Sequence, residues 1–263
     1  MRTVFKIVIW LGIGLWFIAV MGFVNSEMDG IICNQVEIVL KDSVRNRFVT
    51  AAEIRDMINA YNSDIQGYPV KDINIRDLEH RLEENPYIRN AEVFSDISGR
   101  LNIEIYQREP LIRVIPENGQ GFYIDREGYS LPLSSNYSAL IMLATGYIES
   151  PGNIGSKISV KESGENSLSS LHHLRDLYAF GLYLDGHPFW SSQIVQIYLN
   201  REGEYELIPR VGSHQILLGS LDDYRIKLRN LEVLYRQGFK KNGWNSYDKI
   251  NLKYLNQVIC TKR

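Results

Sequence analysis

Three hydrophobic rhythms follow one another along this chain. The first is unbroken: Ile7 to Val24 holds 18 uncharged, mostly apolar residues. At about 1.5 Å of rise per residue such a helix is roughly 27 Å long, close to the hydrocarbon thickness of a bilayer. The second rhythm alternates strand and helix periods. Val36-Glu37-Ile38-Val39-Leu40 is rich in β-branched residues and predicts a strand. Thr50-Ala51-Ala52-Glu53 has capping-box spacing, and Ile54, Met57, Ile58 and Tyr61 recur at helical spacing, so a helix is predicted over 51–61. A polar turn with Gly67 and Pro69 covers 62–73. Asn74 is placed to cap a second helix with Ile75, Leu78 and Leu82 on one face, and Asn85-Pro86 ends it. Ile88 with Ala91 to Phe94, and Leu101 to Gln107, predict the two strands of a hairpin turned at Asp96 to Gly99. Residues 34–108 therefore read strand–helix–helix–strand–strand, and Pro110 closes the unit.

The third rhythm fills 109–263 with short strands and two longer helices. Strands are predicted at Leu111 to Ile115, Phe122 to Ile124, Leu140 to Ala144 and Gln193 to Leu199. Turns at Glu117-Asn118-Gly119 and Asp125-Arg126-Glu127-Gly128 separate the first of them. Tyr205 to Pro209 and Gln215 to Leu218 read as a hairpin around Val211-Gly212-Ser213. Ser167 opens a helix with Leu168, Leu171, Leu174, Leu177 and Tyr178 on one side. Leu221, Tyr224, Leu228, Leu231 and Tyr235 predict a helix over 221–236 that Gly238 can terminate. The chain ends in a strand in which Lys249, Asn251 and Lys253 face one way and Ile250, Leu252 and Tyr254 the other, with Val258 and Cys260 in the same parity.

Charge orients the first segment. Arg2 and Lys6 precede it, and Glu27 and Asp29 follow it. Positive flanks stay cytoplasmic, so residues 1–6 are expected inside, 7–24 across the membrane and the rest outside. The run ends Met21-Gly22-Phe23-Val24-Asn25 without a small-x-small cleavage site, so a retained anchor is favoured over a removed signal. Beyond Val24, 27 basic residues stand against 31 acidic ones with no basic cluster, which gives a nucleic-acid role no electrostatic basis. Two cysteines, Cys33 and Cys260, are too few for a disulfide-stapled domain or a cysteine-rich metal site. They could pair only if the chain ends meet; otherwise each is a free thiol.

The order of these features resembles the FtsQ/DivIB bacterial cell-division proteins. Asn85-Pro86-Tyr87-Ile88-Arg89-Asn90-Ala91-Glu92-Val93 resembles that family's proline, aromatic, aliphatic, Ala-x-Val segment. Arg108-Glu109-Pro110 resembles its Arg-x-Pro, Tyr123 to Gly128 its hydrophobic–Asp–x–x–Gly turn, and Tyr247 to Tyr254 its closing strand. Pro132-Leu133-Ser134 and the segment lengths are similar to Bacteroidetes-type members. The resemblance implies an α+β fold: a transmembrane helix, a POTRA-like β-α-α-β-β module over 34–108, and over 109–263 a mixed β-rich domain with helices packed on its sheet. It further implies a non-enzymatic scaffold at the division septum, anchored once in the inner membrane with its domains in the periplasm. FtsB and FtsL-like proteins are the implied partners, with FtsK and the septal wall synthases as further contacts. Asn251 and Lys253 stand where relatives often carry an acid and an arginine, so a partner's ion pairs must be rearranged here.

Catalytic constellations are missing from the sequence. There is no Gly-x-Ser-x-Gly, no His-Glu-x-x-His and no Walker-type loop. Adjacent His172 and His173 point about 100° apart on a helix and do not share a metal. Asp125 and Glu127 fit a capped turn better than an acid–base pair. No cofactor, metal or small-molecule substrate is therefore expected. What remains is binding. The closing strand is either an edge that accepts a strand from a partner or a core strand paired on both sides. As an edge it would use Ile250, Leu252, Lys253 and Tyr254, with Arg225, Lys227, Arg229 and Arg236 on the polar side of the preceding helix. Those cations either meet an acidic partner or form a solvated face. The POTRA-like module has its own edge, near Val36 to Leu40 or the Leu101 to Gln107 hairpin. Two rival readings are a POTRA-bearing secretion or assembly factor and an anchored envelope enzyme.

Overall fold

A computed structural model describes residues 10–19, 30–41, 46–61, 65–117, 119–158, 168–239 and 243–263, with backbone alone for 168–171. Residues 10–19 are helical (α1), and their large apolar side chains are all exposed, Trp10, Leu15 and Ile18 by more than two thirds. No described helix is long and apolar enough to cross a membrane. The expected span of 7–24 lies partly outside the described residues. The chain divides into two compact units, residues 1–107 and 108–263.

The first unit is β1 (Gln35–Leu40), α2 (Ala51–Tyr61), a short 3-10 turn (Val70–Asp72), α3 (Ile75–Glu83), β2 (Ile88–Ser95) and β3 (Arg100–Gln107). Local chemistry starts both helices where the sequence indicates. The Thr50 amide donates to Glu53 Oε2 at 2.8 Å and the Glu53 amide donates back to Thr50 Oγ1 at 3.2 Å, a reciprocal capping box. Asn74 Oδ1 accepts from the Asp77 amide. Ile54, Ile58, Leu78 and Leu82 then face a core shared with Ile88, Ala91, Val93, Leu101, Ile103 and Ile105. The sheet order is β1-β3-β2, with β1 parallel to β3 and β2 antiparallel to it. A parallel pair needs a long crossover, and the two helices supply it. Leu101 to Gln107 is thus the central strand rather than an edge; the edges are β1 and β2. Gln107 is buried and ties the chain before α2 to the sheet. Its Oε1 accepts from the Phe48 and Val49 amides, and its Nε2 donates to the Asn46 carbonyl.

The second unit carries a nine-stranded sheet in the order β12-β11-β10-β9-β8-β7-β4-β5-β6. Its strands are β4 (Pro110–Pro116), β5 (Phe122–Asp125), β6 (Ser130–Pro132), β7 (Met142–Gly146), β8 (Ile194–Leu199), β9 (Tyr205–Pro209), β10 (Gln215–Gly219), β11 (Tyr247–Asn251) and β12 (Ile259–Lys262). Pro110, read as the end of the first unit, opens β4. Helices α4 (Leu168–Gly186), α5 (Trp190–Gln193) and α6 (Tyr224–Val233) join the sheet in one core. The expected cap Ser167 lies outside the described residues. Leu174, Leu177, Phe180 and Leu184 of α4 are buried there, and Gly181 lies so close to Ile112 of β4 that a Cβ would clash with it.

Helix α6 is shorter than its hydrophobic period implies. Asp223 has φ of 53°, a left-handed conformation that a right-handed helix cannot include, so the helix starts at Tyr224 and not at Leu221. After Val233 the backbone widens into a π-helical turn, Leu234–Gly238. That turn places Tyr235 against His214, Phe239, Trp190 and Trp244 in an aromatic cluster.

Candidate partner-binding edge

The end of the chain forms a hairpin and not the single strand its alternation implies. β11 runs parallel to β10, with Ile216 opposite Ile250 and Leu217 opposite Asn251. On its other side β11 is antiparallel to β12, with Ile250 opposite Cys260 and Asn251 opposite Ile259. The strand read as an edge is therefore paired on both sides. Ile250 and Leu252 point into the core and are essentially inaccessible. The outermost strand is β12, which follows a loop over 252–258. Asn251 starts that loop: its Oδ1 accepts from the Lys253 amide at 2.9 Å, the side-chain turn that asparagine favours. The Leu252 amide still donates to the Leu217 carbonyl, so the loop leaves the sheet only after Leu252.

Among the described residues no strand lies beyond β12. Its Ile259 is 42% exposed, whereas Cys260 packs back on the core. Burial pushes the Cys260 thiol up, and burial does the same to Cys33. Both are free thiols, one in each unit. Arg263 pins the strand's end by donating to the Ser213 carbonyl at 2.9 Å.

Helix α6 joins this edge through the loop. Ile226, Arg229, Asn230 and Val233 fall on one stripe of the helix at three- and four-residue spacing. Asn230 Nδ2 donates to the Leu255 carbonyl at 3.1 Å, which holds the loop beside that stripe. Ile226, Val233, Tyr254, Leu255 and Ile259 are all at least partly exposed large apolar side chains. Of the loop and β12 residues, Leu255 alone is tied to that stripe; Ile259 faces the other side of the sheet from Cys260, which packs on the core that α6 shares, and Lys253 is held at Glu204.

The other basic residues fall into different places. Arg225 is exposed and lies over the rings of Tyr183 and Tyr224. Arg236 pairs with Glu232 at 2.6 Å and lies over Phe189. Lys253 pairs with Glu204, whose carboxyl is held below its ordinary range mainly by that bond. Lys227 is not on the solvated side of the helix. It is 4% exposed, and its Nζ donates to the Leu218 carbonyl at 3.2 Å and the Ser220 carbonyl at 2.7 Å. Burial lowers its pKa, with Asp222 and Asp223 opposing the shift.

The groups weighed as chemistry serve structure here. Asp125 is buried and caps its turn, accepting from the Glu127 and Tyr129 amides at 2.9 and 2.7 Å, and it pairs with Arg108 at 3.0 Å. His173 Nδ1 meets the Tyr205 hydroxyl, whereas His172 meets Arg175. Among the described residues no group of three or more His, Cys, Asp or Glu could hold a metal.

Comparison with known proteins adds two matches. A POTRA-like domain matches residues 31–106, which covers the β-α-α-β-β unit. The family described as FtsQ/DivIB, C-terminal related, matches residues 109–261, which covers the nine-stranded unit to its edge. No curated protein matches the chain. The second match alone spans more than half of the sequence, and with the POTRA-like unit before it the chain belongs to the FtsQ/DivIB family of cell-division proteins.

Proposed function

We propose that this protein is a non-enzymatic scaffold of the division machinery whose partner adds a strand to β12. The carrying observation is that no described strand lies beyond β12, whose preceding loop is tied to the exposed apolar stripe of α6 through Asn230 and Leu255. An unpaired edge offers backbone amides and carbonyls for affinity, and the flanking side chains select the partner. On this reading FtsB, as part of an FtsB–FtsL pair, lays an extended segment along β12 and a short helix or turn against Ile226, Val233 and Leu255. Tyr254 in the loop and Ile259 on β12 are the exposed apolar side chains along the partner's path. Arg225, Arg229, Arg236 and Lys253 receive acidic side chains at the rim. Ile250 and Leu252 act from within, by holding β11 in place. FtsK and the septal wall synthases would meet other surfaces of the chain.

The anchor belongs to the same proposal. Helix α1 is apolar around its whole circumference, its large side chains are exposed, and it lies inside the 18-residue run. A single pass with residues 1–6 in the cytoplasm would hold the two units in the periplasm at the septal membrane. Confinement to one membrane raises the effective concentration of all partners, so modest interfaces suffice for assembly.

The test is binding of the purified chain to the FtsB–FtsL ectodomains of the same organism, beside Tyr254→Glu and Ile259→Glu. Both positions are exposed, so both variants should fold. Loss of binding by about tenfold or more in each is expected, the size of effect that a central interface residue carries. Full affinity in both folded variants would remove β12 from the interface.

A further inference from the structure

The edge of the POTRA-like unit is built differently from β12. β2 is an outer strand, bonded to β3 on one side. Along a strand, alternate residues direct their N–H groups to the same side. Val93 and Ala91 direct theirs away from β3 and toward α3. The Val93 amide donates to Glu79 Oε1 at 2.9 Å, and the Ala91 amide donates to Glu83 Oε1 at 3.1 Å.

The match is one of spacing. Glu79 and Glu83 are four residues apart on α3, about 6 Å along the axis. Alternate residues of a strand are roughly 6.6 Å apart. Leu78 and Leu82, buried under Ala91 and Val93, fix the helix in this register. Two carboxylate oxygens therefore stand where two carbonyl oxygens of a neighbouring strand would stand. This edge also has something to hide. Phe94 is 46% and Ile97 90% exposed beside it, and an apolar strand edge is a template for pairing with another chain.

We infer that Glu79 and Glu83 close the β2 edge by imitating a strand, and that the strand they keep out is the β2 of a second copy of this chain. The groove is of mixed charge, lined by Glu84 and Glu92 but also by Arg76 and His80, with Glu84 paired to Arg81 at 3.2 Å, so charge alone does not exclude a second copy. The hydrogen bonds are the main device, since they occupy the donors that any incoming backbone needs.

The experiment compares the full chain with two double variants. Glu79→Ala with Glu83→Ala removes the oxygens. Glu79→Gln with Glu83→Gln keeps them and removes the charge. Measured at a dilution where the chain is monomeric, amide exchange at Ala91 and Val93 should quicken by about tenfold or more in the alanine pair, as expected for losing a charge-assisted bond, while Glu92, whose amide faces β3, stays as it was. At higher concentration sedimentation should show that pair gaining self-association over the parent, and the glutamine pair, which keeps a neutral acceptor at each amide, staying as monomeric as the parent with exchange between those of the other two. Unchanged exchange in the alanine pair, or faster exchange without association, would overturn the inference. So would association of the glutamine pair, which would leave charge as the guard. Should the alanine pair fail to fold, Glu79→Asp with Glu83→Asp, one methylene too short to reach the amides, carries the same readouts.

Discussion

In each unit a helix reaches the backbone of its sheet with ionic side chains, and the two contacts have opposite consequences. In the POTRA-like unit, Glu79 and Glu83 of α3 bond the outward amides of the edge strand β2. In the second unit, Lys227 of α6 bonds carbonyls at the end of β10, two strands in from the edge. The first contact occupies an edge; the second props the sheet from behind and leaves β12 unoccupied. Which edge of a sheet is available thus depends on where a helix's long polar side chains land. Hydrophobicity alone does not decide it, because both edges carry exposed apolar residues.

The largest effect should come from the strand that supports the open edge. Ile250 is fully buried between β10 and β12, so Ile250→Ala removes core contacts and leaves a cavity. A loss of about 2–5 kcal/mol is expected in urea unfolding of the second unit, with the first unit's transition unmoved. A loss below roughly 1 kcal/mol would mean that β11 is not a core strand. Lys227 comes next. Lys227→Met keeps the stem and removes the ammonium, leaving the Leu218 and Ser220 carbonyls without that donor. The expected cost is about 1–3 kcal/mol, the penalty of unsatisfied buried acceptors. If that variant were as stable as the parent, the ammonium would not be propping β10.

The local parts of this comparison are legible in the sequence, and the long-range parts are not. Thr50 with Glu53, and Asn74 before Ile75, announce helix starts because both partners of each cap lie within three residues. The β-α-α-β-β order follows from periodicity for the same reason. The alternation at the end of the chain misleads because Val258 and Cys260 keep the parity of Ile250 across a loop, so two strands read as one. Asn251 was the available signal for the break, through its side-chain turn onto the Lys253 amide. That β11 is an inner strand depends on parallel pairing with β10, more than 30 residues earlier, and no local pattern carries that. Lys227 reads as part of a polar face, as do Glu79 and Glu83. Their partners are backbone atoms of other elements, which the spacing of side chains does not encode.

Acidity should separate the two units further. His214 is buried in the second unit, with Nε2 at 2.6 Å from the Tyr235 hydroxyl. Burial holds its imidazole below the ordinary value of 6.5; the Trp244 carbonyl opposes the shift and Arg263 adds to it. A base whose folded pKa is depressed favours the neutral form in the fold. Its stabilisation is complete above the unfolded value and is lost as pH falls from about 6.5 toward the folded value, at no more than about 1.4 kcal/mol per pH unit. Unfolding of the second unit, followed from pH 8 to 5, should show this decline, and His214→Gln should flatten it. The first unit holds no buried histidine among its described residues, so its stability should change less over that window. An identical decline in the His214→Gln variant would assign the effect to other groups.

The smallest effect belongs to a carboxylate that meets a cation at the surface instead of an amide at an edge. Glu204 pairs with Lys253 where each side chain is 36% exposed. Water screens such a pair and holding two long side chains costs entropy, so Glu204→Gln should lower stability by less than about 0.5 kcal/mol. Added salt should erase the difference. The sign with pH follows from the depressed carboxyl: the contribution is present above the ordinary value near 4.5 and vanishes as pH falls through the lower folded value. A loss above roughly 1 kcal/mol, insensitive to salt, would mean that the pair fixes the loop between β11 and β12. The contrast with Glu79 and Glu83 is then a matter of what the carboxylate meets. Bonded to the amides of an edge strand, a glutamate decides whether that edge accepts another chain; bonded to an exposed lysine, it leaves the edge as open as before.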